Sequence, residues 1–398
     1  MRAAWSRTAL GKLFRVGSSK RVLQSQWQSQ GVPFYRGREI TLLAAEGFVD
    51  NALFISEDLY TELAAKNGVP SAGDIMVTAI GTIGNSYIVR DSDRFYFKDA
   101  SVLWLKKTTD VSSEFINWWL KSPLFFDQLD RGNGATVDTL TIQKLQTVAV
   151  DLPPLPEQQR IVTLLDEAFD GIASAKANAE KNLQNARAIF DSHLESVFKQ
   201  RGVDWVDTTI GDSCTLKSGT TVPVSIEKPS GDIPYVKVAE MTLPDNQDGI
   251  TTSIRFLDRP DVKPGWLIPK GAVIFPKRGG AILTNKKRLA LVDMCADLNI
   301  MSVIPSENIT PEFLYFYFLT VNMRKLGTGS SIPQINNYDI APLEISFPKS
   351  LMKQAEIADS IRSLESECQA LESLYQQKLI ALDELKKSLL HRAFNGEL

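Results

Sequence analysis

Leu152-Pro-Pro-Leu-Pro-Glu-Gln-Gln-Arg-Ile-Val162 introduces the segment that decides the fold. Its prolines end an extended stretch and are tolerated only up to the first turn of a helix. From there apolar residues recur at Ile161, Leu165, Ala168, Ile172, Ala175 and Ala179, in alternating steps of four and three. That rhythm makes one helix face a seam for another helix. An extra step of four then leads to Leu183, a coiled-coil stutter, and the pattern continues to Phe198, with Gly202 beyond the last turn. At ~1.5 Å per residue, about 40 residues form a rod roughly 60 Å long. A small neighbouring domain cannot cover an apolar seam of that length.

The partner is written into the same chain. A second seam runs Ile357, Ile361, Leu364, Cys368, Leu371, Tyr375, with the same extra step to Leu379, and ends at Phe394, 196 residues after Phe198. Neither helix has an internal proline. Two such helices satisfy each other most economically by packing together, and because each follows an equivalent domain, the expected pairing is antiparallel with one domain at each end. Candidate packing residues are Ile161, Leu165, Ala168, Ile172, Leu183, Ile357, Ile361, Leu364, Leu371 and Leu379.

The rest of the chain repeats with the helices. Trp5-Ser-Arg-Thr-Ala-Leu-Gly11 returns as Trp205-Val-Asp-Thr-Thr-Ile-Gly211, and Val32-Pro-Phe-Tyr35 as Ile233-Pro-Tyr-Val236. Val111-Ser-Ser-Glu-Phe-Ile-Asn-Trp-Trp119 returns as Ile309-Thr-Pro-Glu-Phe-Leu-Tyr-Phe-Tyr317, and Gly132-Asn-Gly134 as Gly327-Thr-Gly329. Leu140, Leu145, Val148 and Val150 match Ile335, Ile340, Leu343 and Ile345. A constant order at a period near 200 residues indicates a duplicated domain plus connector, not a solenoid. Within each half, β-branched runs broken by glycine predict strands joined by turns, as over Ser71–Val89 and Gly271–Leu291. The expected class is α+β: two mixed domains, 1–152 and 203–348, and two long helices, 153–202 and 349–398, forming an antiparallel coiled coil.

Composition narrows the function. Hydrophobic residues make up 43% and charged residues 23% of 398, with no apolar run long enough to span a bilayer and no secretory signal at the start. Cys214, Cys295 and Cys368 are scattered, so the expected compartment is the cytoplasm, without structural zinc. The net charge is −3, and each helical segment (156–204 and 351–398) holds 6 Lys+Arg against 8 Asp+Glu. The excess acid therefore sits on the helices, leaving the two domains close to neutral. Any attraction to nucleic acid must come from local clusters.

Those clusters are Lys12, Arg15, Lys20, Arg21, Arg36 and Arg38 in the first half, and Lys237, Lys277, Arg278, Lys286, Lys287 and Arg288 in the second. Arginine suits bidentate reading of guanine, while lysine more often meets phosphate. The polar stretch around Trp27, with Gln24, Gln26, Gln28 and Gln30, is a further candidate for base contact. Catalytic patterns are missing: there is no phosphate-binding glycine loop, and two histidines and three cysteines leave little for a nucleophile–base set. Asp151-Leu-Pro-Pro154 lacks the aromatic of an amino-methyltransferase loop, and Gly81-Thr-Ile-Gly84 reads as a turn between strands. Pro244-Asp245 with Asp261-Val-Lys263 fits a loose nuclease spacing, but Asp261 lies in a proline-flanked turn and the first half has no counterpart. No catalytic or metal residue is assigned.

Together these features resemble the specificity subunit of Type I restriction–modification enzymes, over essentially the whole chain. The marks are Leu152–Val162, the Gly73-Asp-Ile-Met-Val-Thr-Ala-Ile-Gly-Thr-Ile-Gly84 segment, and the terminal Leu389-Leu-His-Arg-Ala-Phe-Asn-Gly-Glu-Leu398. The resemblance implies a non-catalytic subunit whose two recognition domains each read half of a bipartite double-stranded DNA target. It implies helices that set the spacer and dock two modification subunits, and restriction subunits joining the complex. S-adenosylmethionine, ATP and Mg²⁺ are then expected on those partners, with no cofactor on this chain and no membrane involvement. The second half departs from the pattern, with Pro348-Lys-Ser-Leu-Met-Lys-Gln354 and Gly271-Ala-Val-Ile-Phe275. A stand-alone DNA-binding regulator or coiled-coil scaffold, and a nuclease using Asp245, Asp261 and Lys263, are the alternatives.

Overall fold

The computed structural model describes residues 5–50, 52–129, 139–200, 202–326 and 333–398. It divides into two compact units, residues 1–180 with 377–398, and residues 181–376. The matched Gly132–Gly134 and Gly327–Gly329 segments lie outside the described residues.

The first unit contains β1 (Ser6–Ala9), β2 (Phe14–Gly17), β3 (Val32–Tyr35), β4 (Phe54–Ile55), β5 (Ile75–Thr78), β6 (Ser86–Ile88), β7 (Tyr96–Phe97), β8 (Val102–Lys107) and β9 (Ala149–Leu152). They form a β1-β9 ribbon, a four-stranded sheet in the order β2-β8-β5-β6 and a three-stranded sheet β4-β3-β7 in which β3 and β7 run parallel. The second unit contains β10 (Trp205–Thr209), β11 (Cys214–Ser218), β12 (Ile233–Val236), β13 (Phe256–Leu257), β14 (Val273–Pro276), β15 (Arg288–Leu289), β16 (Cys295–Ala296), β17 (Ile300–Pro305) and β18 (Glu344–Pro348). Its sheets are β10-β18, β11-β17-β14-β15 and β13-β12-β16, with β12 and β16 parallel. Each sheet thus repeats strand for strand, and the weak sequence matches become one topology used twice.

The cores repeat too. The aromatic-rich helix Ser113–Leu120 buries Phe115, Ile116, Trp119 and Leu120 against Val77, Leu103 and Leu105 of the four-stranded sheet. Its counterpart Pro311–Thr320 buries Phe313, Leu314, Tyr317 and Phe318 against Val273, Phe275 and Val303. Gly73 and Gly271, at equivalent places before β5 and β14, both hold positive φ, 84° and 90°. A Cβ at Gly271 would lie 2.8 Å from Pro311 Cγ, so this turn demands glycine twice over.

Each unit then fastens its domain to a long helix through a buried glutamine. Gln158, near the start of the central helix Leu155–Lys199, accepts the Ser112 N–H at 2.9 Å and donates to the Pro153 carbonyl at 2.8 Å. Gln354, near the start of the C-terminal helix Leu351–Phe394, accepts the Thr310 N–H at 2.8 Å and donates to the carbonyls of Asn308 (2.8 Å) and Pro348 (2.7 Å). The proline–glutamine signature is therefore a structural clasp between the helix start and the β-rich domain before it.

Within each unit the two long helices run antiparallel. In the first, Lys176 pairs with Asp383 at 2.6 Å, Lys386 lies over the Phe169 ring at 5.0 Å, and Arg160 donates to the Leu398 carbonyl at 2.8 Å. In the second, Arg187 pairs with Glu372 at 3.0 Å, and Leu194 packs with Ala358 and Ile361. Ile161, Leu165, Ile172 and Ile361 are buried, and Ala168, Leu183, Ile357, Leu364 and Leu379 half-buried. Leu371, expected in the seam, is instead 41% exposed. The cause is local: the four-residue step falls after Cys368, so Glu372 turns inward to meet Arg187 and Leu371 turns outward. Phe169, not Ala168, takes the buried position of its turn, with its ring 4.5 Å from that of Trp118.

Candidate nucleic-acid interface

The parallel pair in each small sheet sends two strand ends to one place. In the first unit β3 and β7 end there, followed by Arg36-Gly37-Arg38 and Lys98, whose N–H donates to the Tyr35 carbonyl. The turn from β5 to β6 comes to the same end: a Cβ at Gly37 would lie 3.9 Å from the Ile80 carbonyl and 3.7 Å from that of Ser101. Ile80 pairs with Thr139 in an isolated bridge. The second unit repeats this, with Arg278 bridging to Gln334 and the Lys277 N–H donating to the Asn299 carbonyl. Gly81 and Gly279 both turn the chain at positive φ, 78° and 68°.

The structure distinguishes basic side chains held by the fold from those left to solvent. Arg36 grips Glu39 through Nε and Nη2, at 3.1 and 2.8 Å, while the Arg36 N–H also donates to that carboxylate. Burial raises the Glu39 pKa, but the hydrogen bonds and charge of Arg36 outweigh it and hold the carboxyl below its usual range. Lys237 occupies the equivalent place: its N–H donates to Glu240, and its ammonium pairs with Glu227 at 3.1 Å. Lys277 is buried and donates to Ser218 Oγ at 2.6 Å. Lys287, 3% exposed, donates to Asn285 Oδ1 and the Val321 carbonyl, and burial with the nearby Arg324 charge pushes its pKa down to about 8. Arg288 donates to the carbonyls of Asn246 and Lys287. All five are engaged within the fold by hydrogen bonds or ion pairs, a division that sequence clustering does not reveal.

Exposed at the strand-end surface are Arg38 in the first unit and Arg278 in the second, with Lys286 half-buried nearby. Lys20 and Arg21 follow the Ser18–Ser19 loop, which is tied to the Val102 and Phe97 carbonyls, so they too stand by the β7–β8 connection. Lys12 and Arg15 are exposed but belong elsewhere: Arg15 pairs across with Lys106, toward the opposite end of β8. Trp27 packs its ring 6.0 Å from that of Phe34, and its neighbouring glutamines are exposed.

Sequence reasoning missed Lys98, Arg324 and Lys325. Arg324 donates to the Leu283 carbonyl at 2.7 Å, which brings it and the adjacent Lys325 beside the turn that carries Arg278. Their signal was present as a basic pair just before Gly327-Thr-Gly329. Exposed Tyr338 also belongs here, joined to Gln334 through Asn336 by hydrogen bonds of 2.8 and 2.6 Å. Asp245 and Asp261 lie in separate single-turn helices, and Lys263 stacks over Trp266 at 5.1 Å. Among the described residues no group of three His, Cys, Asp or Glu could hold a metal ion, and no helix is long and apolar enough to cross a membrane.

The family model described as "Type I restriction modification DNA specificity domain" matches twice, at residues 3–184 and 202–380. A putative type I restriction enzyme specificity subunit of Haemophilus influenzae is 32% identical over 160 residues, 40% of this chain and 38% of that protein. The EcoKI specificity subunit of Escherichia coli is 21% identical over 318 residues, 72% of this chain and 66% of that protein. The alignments thus span less than two thirds of either relative's length. Among solved structures, a chain from work on complex assembly and conformational transition of the type I R-M system superposes with a TM-score of 0.79, at 17% identity, covering 100% of this chain and 99% of that one. The HsdS subunit from Thermoanaerobacter tengcongensis gives 0.67, also at 17% identity, covering 100% and 98%. At such identity these two report the fold alone.

Proposed function

Because the chain belongs to the type I restriction–modification DNA specificity family, we propose that it is the DNA-reading subunit of a multisubunit enzyme, with no turnover of its own. Each recognition domain reads one half of a bipartite double-stranded target, and the helix pair sets the length of the unread spacer. Modification subunits, two per chain, and restriction subunits supply the chemistry. S-adenosylmethionine, ATP and Mg²⁺ belong to those partners, and this chain needs no cofactor of its own.

The observation that carries this reading is the duplication itself, two topologically identical domains each clasped by a buried glutamine to its own long helix. Two near-neutral readers bind short half-sites weakly, and joining them makes the second contact intramolecular. One added base pair moves a half-site by ~3.4 Å and rotates it by roughly 35°, which a stiff connector cannot absorb. Exposed Leu164, Ile380 and Leu385 in the first unit, and Ile189, Leu371 and Leu374 in the second, give the helices apolar surface for docking modification subunits.

Methylome sequencing of the host with and without the gene tests the proposal: one bipartite methylated motif disappears on deletion. Removing seven residues from both helices changes the preferred spacer and leaves both half-sites intact. Loss of no motif, a chain that binds no modification subunit, or cleavage by the purified chain alone would each overturn it.

A further inference from the structure

The two strand-end surfaces are built on equivalent strands and differ in chemistry at two equivalent places. The first is the residue before the positive-φ glycine that follows β5 or β14. In the first unit it is Ile80, 48% exposed, before Gly81; in the second it is exposed Arg278, before Gly279. Both make the same bridge, to Thr139 and to Gln334 respectively. The second place follows the aromatic-rich helix by one turn. There the fully buried Phe125 corresponds to the buried Met323, so Phe126, 43% exposed, corresponds to exposed Arg324. Both flank the turn in question: a Cβ at Gly84 would lie 3.0 Å from the Phe126 ring, and Arg324 donates to the Leu283 carbonyl. Two exposed apolar side chains in one unit therefore stand where two guanidinium groups stand in the other.

We propose, on the basis of the DNA-reading function above, that the two domains discriminate their half-sites by opposite chemistries. The first domain selects thymine by packing Ile80 and Phe126 against the C5-methyl group in the major groove. The second selects guanine with Arg278 and anchors the backbone with Arg324. The energetic argument is direct. An isoleucine and a phenylalanine kept in water on a reading surface gain nothing from phosphates, and the thymine methyl is the apolar feature of the major-groove edge. A guanidinium in the same place matches the paired O6 and N7 acceptors of guanine. Arg324 and Lys325 stand beside the turn that carries Arg278, whereas at their places the first unit has Phe126 and Asp127. Equivalent strands thus carry different side chains to the same edge, and one duplicated domain diverges in sequence preference.

The test uses the full chain assembled with its modification subunits and the bipartite motif found by methylome sequencing. Deoxyuridine in place of thymidine removes the methyl and nothing else. In the first half-site it weakens binding about fourfold per contacted methyl, and that sensitivity vanishes in Ile80→Ser or Phe126→Ser. In the second half-site 7-deazaguanine weakens binding roughly tenfold, and Arg278→Gln abolishes that difference. Arg324→Gln lowers the salt slope by about one, while Phe126→Ser leaves it unchanged. A first half-site without thymine, or specific binding indifferent to deoxyuridine, overturns the inference while leaving the DNA-reading function standing. Loss of subunit assembly in Ile80→Ser and Phe126→Ser, with DNA reading intact, assigns the apolar pair to a protein partner and also overturns it. Absence of any sequence-specific binding sinks the function itself.

Discussion

Replacing Gln354 by alanine isolates the clasp between the second recognition domain and its helix. The side chain is fully buried and makes three hydrogen bonds, one accepted from Thr310 N–H and two donated to Asn308 and Pro348 carbonyls. Truncation orphans one buried donor and two buried acceptors. An unsatisfied buried group costs roughly 1–3 kcal/mol, and part of that is recovered where relaxation or water reaches the carbonyls. A loss of about 3 kcal/mol is the expected net, with about 2 kcal/mol for Gln158→Ala, which breaks two bonds. Denaturant unfolding resolved by hydrogen exchange reads each unit separately, with faster exchange at Thr310 and along the first turns of the C-terminal helix. Lys353→Ala, one residue away with its side chain 57% exposed, is the control and leaves stability nearly unchanged. If Gln354→Ala proves as mild as Lys353→Ala, the glutamine is a passenger and the clasp argument fails.

Two further perturbations test the packing and the electrostatics. Trp118→Ala removes a ring packed at a tilt against Phe169 and an indole N–H donated to Asp166 at 2.8 Å, and should cost the first unit about 3 kcal/mol in denaturant unfolding. Phe substitution recovers most of that loss. Lys287 gives a pH signature of known sign: burial puts its folded pKa near 8, below the ordinary lysine value, so the unfolded chain binds more protons between the two. Its contribution to stability is complete above about pH 10.4 and is lost as pH falls toward 8, at no more than about 1.4 kcal/mol per pH unit. The difference between wild type and Lys287→Met, measured across that window, isolates the effect, and a flat difference refutes the burial argument.

What was legible in the sequence was whatever repeats over long range. The helix seams, the matched apolar positions Leu145 and Ile340, and the aromatic-rich helices depend on periodicity and order, which survive divergence. Local registers were harder to read. Leu371 and Glu372 differ by a rotation of 100° about the helix, and it is Glu372 that faces inward, where Arg187 meets it. The interface was least legible, because a basic residue has the same letter whether it grips a buried carboxylate, as Arg36 does, or faces water, as Arg38 does. Lys277 and Lys287 sit in the most basic runs of the second half and are buried.

Arg36 and Glu39 also show how the duplicate tolerates change. Glu240, 1% exposed, keeps the place of Glu39 and accepts the N–H of Lys237 just as Glu39 accepts that of Arg36. Lysine at 237 sends its ammonium to Glu227, so the buried carboxylate must find another cation. Arg255, from the segment beside β13, provides it, contacting Glu240 through Nη1 and Glu227 through Nε. A buried carboxylate left unpaired costs several kcal/mol, which explains why the arginine moved in the sequence and not away from the site. Arg255→Ala should therefore cost the second unit about 3 kcal/mol, comparable to Arg36→Ala in the first, although the two arginines occupy unrelated places in the repeat. Restoring arginine at 237 in the Arg255→Ala background should recover stability by rebuilding the grip seen at Arg36. If Arg255→Ala is neutral, or Lys237→Arg fails to rescue it, the two carboxylates are not neutralised by equivalent means, and the idea that a fixed scaffold underlies the two divergent surfaces loses its best support.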